Sequence, residues 1–205
     1  MNPTGLLNKG SLVAELPRGS GGTIWAVSET HLTAEGYPKL SKELRQTPYQ
    51  LQMGAAVPTK SATLSSVGGK QRGVGFLTTL PHRALTPTWS QKQWEENRFH
   101  AAGFLANNRW IQGGVLYGYA KQPTTHQTRE KTDQICQILY HRLSEQTRGL
   151  RFIAGDFNQD HLDLQTMQKL DDEKWINVQQ WAATHLGKAI VKTCHNKTVK
   201  DHIYI

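Results

Sequence analysis

The sequence predicts an α/β domain, and three observations carry that prediction. Short runs of β-branched and aromatic residues recur between loops punctuated by Gly and Pro, as strands do. Along Arg129–Glu145, Thr132, Ile135, Cys136, Leu139 and Leu143 fall three or four apart, which places them on one helical face. Two apolar runs, Phe99–Ala106 and Trp110–Tyr119, flank Asn107-Asn108, a two-residue hairpin signal.

In chain order, a weak helix is expected at Leu6–Leu16, a strand at Ile24–Val27 and a second weak helix at Pro38–Gln46. Ala56–Lys70, rich in Ser and Thr and carrying Pro58 and Gly68-Gly69, reads as a loop, as does Pro81–Trp94. Strands follow at Gly73–Thr78, Phe99–Ala106, Ile111–Ala120, Leu150–Ala154, Ala189–Thr193 and Asp201–Ile205. A helix from Asp172, as N-cap, to Leu186 would bury Trp175, Val178 and Ala182 and stop at Gly187. No internal repeat is visible, so solenoids and propellers are disfavoured. The 205 residues fit one domain, 1–205.

The formal charge of +8 favours an anionic partner, of which nucleic acid is the commonest for a basic protein. Between Lys60 and Arg109 stand Lys60, Lys70, Arg72, Arg83, Lys92, Arg98 and Arg109 against only Glu95 and Glu96. That stretch either tracks a phosphate backbone or is an ordinary solvated surface. Trp89, Trp94 and Trp110 within it either stack on bases or belong to the core. Cys136 and Cys194 have no CxxC partner, which excludes a zinc ribbon or disulfide framework and fits a reducing, intracellular compartment, the nucleus included. No apolar run is long enough for a membrane span, and no leader for secretion is seen. Oligomeric state leaves no mark in the sequence.

The most informative run is Leu150-Arg151-Phe152-Ile153-Ala154-Gly155-Asp156-Phe157-Asn158. Side chains alternate along an extended chain, so Asp156 and Asn158 would share a side, with Gly155 allowing close backbone approach. The pair is either an Asx turn closing a strand or part of a metal-assisted site. A second carboxylate, Glu29 of Ser28-Glu29-Thr30-His31, also stands at a strand's end, where it would share a crevice with Asp156. His31 and His126 receive no role.

The ordered set Asn2-Pro3-Thr4-Gly5-Leu6, Ser28-Glu29-Thr30-His31, Gly73-Val74-Gly75-Phe76-Leu77, Tyr117-Gly118-Tyr119-Ala120, Gly155-Asp156-Phe157-Asn158 and Lys200-Asp201-His202-Ile203-Tyr204-Ile205 resembles the endonuclease/exonuclease/phosphatase superfamily over nearly the whole chain. The resemblance implies a four-layer α/β sandwich, two packed mixed β-sheets flanked by helices, with the site at one end. It implies that Glu29, with Asn2 nearby, binds Mg²⁺, or Mn²⁺ in its place. Tyr119 would approach the scissile phosphate, with Tyr117 as the competing candidate. Asp156 would position or deprotonate the attacking water, Asn158 would hold the phosphate and that aspartate, and Asp201 would orient a catalytic histidine. Hard carboxylate and amide oxygens suit Mg²⁺ better than the scattered His and Cys do.

The chain departs from the family pattern at both ends. No strand precedes Asn2, and the terminal Ser-Asp-His is absent, so a first strand and a last hairpin are expected to be missing. Asp201-His202 is read as the late strand rather than as that terminal motif, because Ile203, Tyr204 and Ile205 continue it. The expected function is Mg²⁺-dependent phosphodiester hydrolysis, with DNA as partner and no membrane. The alternatives are a phosphatase or lipid phosphodiesterase on the same fold, and a catalytically dead retroelement or gene-fragment remnant.

Overall fold

The computed structural model describes residues 13, 16, 22–32, 35–54, 73–85, 98–120, 126–145, 149–190 and 199–205. The strands are β1 (Ile24–Val27), β2 (Gln50–Met53), β3 (Gly75–Thr78), β4 (His82–Ala84), β5 (Phe99–Ala106), β6 (Arg109–Tyr117), β7 (Leu150–Asp156) and β8 (Asp201–Tyr204). The helices are α1 (Gly36–Leu44), α2 (His126–Ser144), α3 (Gln165–Asp172) and α4 (Val178–Leu186), with a 3₁₀ turn at His161–Asp163.

The strands form two sheets, a three-stranded one in the order β1-β3-β2 and a five-stranded one in the order β4-β5-β6-β7-β8. The smaller sheet is antiparallel throughout. The larger is mixed, since only β6 and β7 run parallel, and α2 is the crossover that a parallel pair requires.

Period-two alternation sorts the strand side chains into three cores. Phe76, Phe104, Val115 and Tyr117 pack between the sheets. Leu77 points the other way and, with Val27 and Leu51, meets Leu40 and Leu44 of α1. On the far side of the larger sheet, Leu116, Ile153 and Tyr204 pack against Ile135, Leu139 and Leu143 of α2 and Met167 and Leu170 of α3. The result is a four-layer sandwich: α1, small sheet, large sheet, α2 with α3. Phe76 is the central contact between the sheets, its ring edge-on to Phe104 at 5.1 Å and Phe152 at 5.9 Å. Such pairs add about 0.5–1.5 kcal/mol each to the stabilisation from burial.

The hairpin forms as its sequence predicts: Asn107 and Asn108 both take positive φ, 48° and 60°, the twist that suits a two-residue turn between right-twisted strands. The single helix expected over Asp172–Leu186 is two elements. Asp172 ends α3, Lys174 turns left-handed at φ 68°, and Asn177 starts α4 by accepting from the amides of Gln179 and Gln180. Gly187 does terminate that helix, at φ 61°. Two short strands lacked a sequence signal: β2, and β4 inside the segment read as the loop Pro81–Trp94. Of the expected strand Ala189–Thr193, Ala189 and Ile190 are irregular and the rest lies outside the described residues. The loop Ala56–Lys70 and most of the helix Leu6–Leu16 also lie outside them. No helix among the described residues is long and apolar enough to cross a membrane.

Candidate active site

The ladder of the larger sheet places Tyr117 of β6 beside Asp156 of β7, and Asp156 beside Asp201 of β8. Partners in register share a face, so these three form one row, directed between the sheets with the Tyr117 ring in the inter-sheet core. From the opposite sheet, the chain leaving β1 turns left-handed at Glu29, φ 53°, and buries its side chain to 8% exposure. The Tyr117 hydroxyl donates to Glu29 Oε1 at 2.6 Å. One hydrogen bond therefore joins the two sheets where the carboxylates gather.

Asp156 and Asn158 form the Asx turn of the first sequence reading. Asn158 takes φ 54° and its amide donates to Asp156 Oδ1 at 2.9 Å, an Asx turn. Its Nδ2 reaches across to the carbonyl of Gly118 at 3.2 Å, while the Gly118 amide donates to the Asp156 carbonyl at 2.7 Å. This exchange needs glycine at two places. A Cβ on Gly118 would lie 1.9 Å from the Phe157 carbonyl oxygen, and one on Gly155 would lie 2.0 Å from that of Leu116.

Burial, followed by the charge of Asp201 and a smaller contribution from Glu29, pushes the Asp156 carboxyl up to about 7; the Asn158 amide and Lys200 pull it down. Burial and the bond to Glu29 hold the Tyr117 hydroxyl far above the usual phenol range. The row thus contains a carboxylate able to exchange a proton near neutrality beside a tyrosine that stays protonated.

Asp201 is half-buried, and Gln179 of α4 donates to its carbonyl at 3.1 Å. His202 points to the other face, 2% exposed, with its ring edge-on to Phe157 at 5.3 Å. Asp201-His202 is therefore the late strand, as its hydrophobic continuation suggested. Tyr119 also lies on the helix side of the sheet: its amide donates to Thr132 Oγ1 at 2.9 Å, and its ring lies 4.1 Å from the Arg98 guanidinium carbon. Of the two candidate tyrosines, it is Tyr117 that meets Glu29. Asn2 lies outside the described residues.

The structure adds two residues that sequence patterns did not mark. Arg98, which counted only as one cation of the basic stretch, is 8% exposed and donates to the carbonyls of Tyr117 and Gly118. Gln159, 1% exposed, donates to the Tyr119 carbonyl at 2.9 Å. Arg83 and Arg109 of that stretch are exposed, and Arg83 stacks on Trp110 at 4.3 Å; Trp89 and Trp94 lie outside the described residues.

Among the described residues no group of three or more His, Cys, Asp or Glu is arranged to hold a metal by itself. Among those residues the site offers no closed protein cage. Mg²⁺ rarely uses one; it keeps several waters and takes one or two carboxylates. The buried carboxylate of Glu29, near enough to Asp156 for their charges to act on each other, fits that open mode by donor chemistry. Beside them a cavity of about 410 Å³ runs between the sheets, with Ser28 and Asp201 among its polar lining and Ile24, Phe152 and Ile203 among its apolar lining.

No protein-family model and no curated protein matches the sequence. Solved structures do match the fold. A 3'-5' exonuclease from Neisseria meningitidis superposes with TM-score 0.64 at 13% identity, covering 99% of this chain and 84% of the exonuclease. An AP endonuclease from Archaeoglobus fulgidus gives 0.57 at 13% identity, over 88% of this chain and 75% of that one. Sphingomyelinase C from Streptomyces griseocarneus gives 0.51 at 13% identity, over 83% and 63%.

Proposed function

We propose that this chain, which has the endonuclease/exonuclease/phosphatase fold, is a divalent-metal-dependent phosphodiesterase that cuts DNA. The observation that carries the reading is the row Tyr117–Asp156–Asp201 facing Glu29 across the gap between the sheets. Two carboxylates and a proton-exchanging group at one point are what phosphodiester hydrolysis requires and what packing does not.

Glu29, with Asn2 as a further proposed donor, would hold Mg²⁺, or Mn²⁺ in its place. When bound, the ion supplies Lewis-acid stabilisation to a non-bridging phosphate oxygen. Tyr117 fixes the Glu29 carboxylate by its hydrogen bond. Asp156 takes the proton of the attacking water at Oδ2, since the Asn158 amide occupies Oδ1. Burial, and after it the negative field of Asp201, raises the proton affinity of Asp156 toward neutrality. Asn158 is proposed to touch the phosphate. The net charge of +8 supports DNA over a neutral or cationic substrate.

Nicking of supercoiled plasmid in Mg²⁺, compared with chelator and with Asp156→Ala, tests the proposal. Loss in both controls supports it. A folded protein with no metal-dependent cleavage overturns it, and turnover of sphingomyelin or inositol phosphates without nicking overturns the substrate.

A further inference from the structure

Arg98 lies at the mouth of β5, buried, in a protein whose other basic residues along the same stretch of sequence are exposed where described. Its side chain turns inward to the segment Tyr117-Gly118-Tyr119. Nη1 donates to the Gly118 carbonyl at 3.0 Å and to the Tyr117 carbonyl at 3.3 Å. Its guanidinium carbon stands 4.1 Å from the centre of the Tyr119 ring and 5.2 Å from that of Tyr117. Its backbone carbonyl takes the Tyr117 amide at 2.6 Å. Five contacts from one residue converge on three consecutive positions.

Those positions are where the two halves of the site meet. Tyr117 leads to Glu29 through its hydroxyl. Gly118 leads to Asn158 through its carbonyl and to Asp156 through its amide. The Gly118 carbonyl is shared, accepting from Arg98 and Asn158 together. A shift of that carbonyl therefore moves the Glu29 half and the Asp156 half relative to each other. A guanidinium suits this place because it is planar enough to stack on a ring while donating in its own plane, which an ammonium cannot do.

We propose that Arg98 is a positioning residue of the site: it sets the spacing of Glu29 and Asp156 by clamping Tyr117-Gly118 and does not itself contact substrate. The role in turnover rests on the phosphodiesterase reading; the clamp does not. Misplacement on the ångström scale far from the chemistry is known to cost orders of magnitude in rate.

The test uses Arg98→Lys, which keeps the charge, and Arg98→Met, which keeps length and tolerates burial. Amide hydrogen exchange at Gly118, read by NMR, should speed up by about tenfold in either variant, as expected when a local opening costs less. On plasmid, kcat should fall by about ten- to a hundredfold with KM within about twofold, the pattern of a lost geometry rather than lost binding. Unchanged Gly118 exchange in a folded variant overturns the clamp. A raised KM at unchanged kcat overturns it in favour of a substrate contact. Wild-type protein that cleaves nothing removes the function while the exchange experiment still decides the clamp.

Discussion

The hydroxyl of Tyr117 and the carboxylate of Glu29, 88 residues apart in sequence, meet at 2.6 Å in a buried contact between the two sheets. Tyr117→Phe removes the donor and leaves a buried acceptor. We expect a loss of about 1–3 kcal/mol, read from urea unfolding at pH 7. Metal-dependent cleavage should fall with it, because Glu29 loses the group that orients it.

Asp156→Asn should separate catalysis from stability. Removing the group proposed to take the proton should lower the cleavage rate by about 10²–10⁴-fold. In chelator at pH 8 the same variant should melt above wild type, because Asp156 is then ionised where it is buried and lies against Asp201 and Glu29. A calorimetric scan in which the variant melts below wild type would refute the cost of ionising Asp156 there.

The pH dependence of that difference follows from the sign of the shift. The Asp156 carboxyl is raised from 3.8 to about 7 on folding, so its contribution is present below pH 3.8 and lost as pH rises through 7. The melting advantage of Asp156→Asn should accordingly shrink toward pH 4 when measured in chelator.

His100 titrates with the opposite sign. Burial lowers its imidazole from 6.5 to about 4, and it lies within 3.3 Å of Gln52 between the sheets. Its contribution is present above pH 6.5 and lost as pH falls through 4, about 3 kcal/mol in all at 1.36 kcal/mol per unit. His100→Gln should flatten the acid limb of a stability profile between these two values.

Gly118→Ala should be a severely damaging small change. Its Cβ would meet the Phe157 carbonyl oxygen at 1.9 Å, backbone that cannot swing aside. We expect a destabilisation of about 3 kcal/mol or more by denaturant unfolding, at the upper end for overpacking.

Asn177→Ala should loosen the C-terminal region. The side chain caps α4 through Oδ1 and donates Nδ2 to the Tyr204 hydroxyl at 3.2 Å. Losing the cap alone costs about 0.5–2 kcal/mol, and thermal unfolding should report at least that.

The elements with strong local signals were legible in the residue order. The apolar face of α2, the Asn107-Asn108 turn and the strand ending at Asp156 form as their patterns indicate, because each is fixed by contacts a few residues apart or by backbone preference. Short elements were not. β4 is three residues long and exists because β5 offers it a partner, and the break at 173–177 depends on a left-handed Lys174 that no propensity forecasts.

The same division runs through the candidate site. That Glu29 follows a strand, Asp156 ends one and Asp201 begins one is written in the short apolar runs beside them, and so is the choice of Asp201-His202 as strand. Which tyrosine meets Glu29 is not. Tyr117 and Tyr119 differ by two positions, which in a regular strand would put both on one face. The chain leaves its ladder at Gly118, so Tyr119 turns to the helix side and Tyr117 stays between the sheets. Nor does a sequence show that Arg98 is buried on that turn, since charge is local and burial depends on what the remote chain brings to cover it.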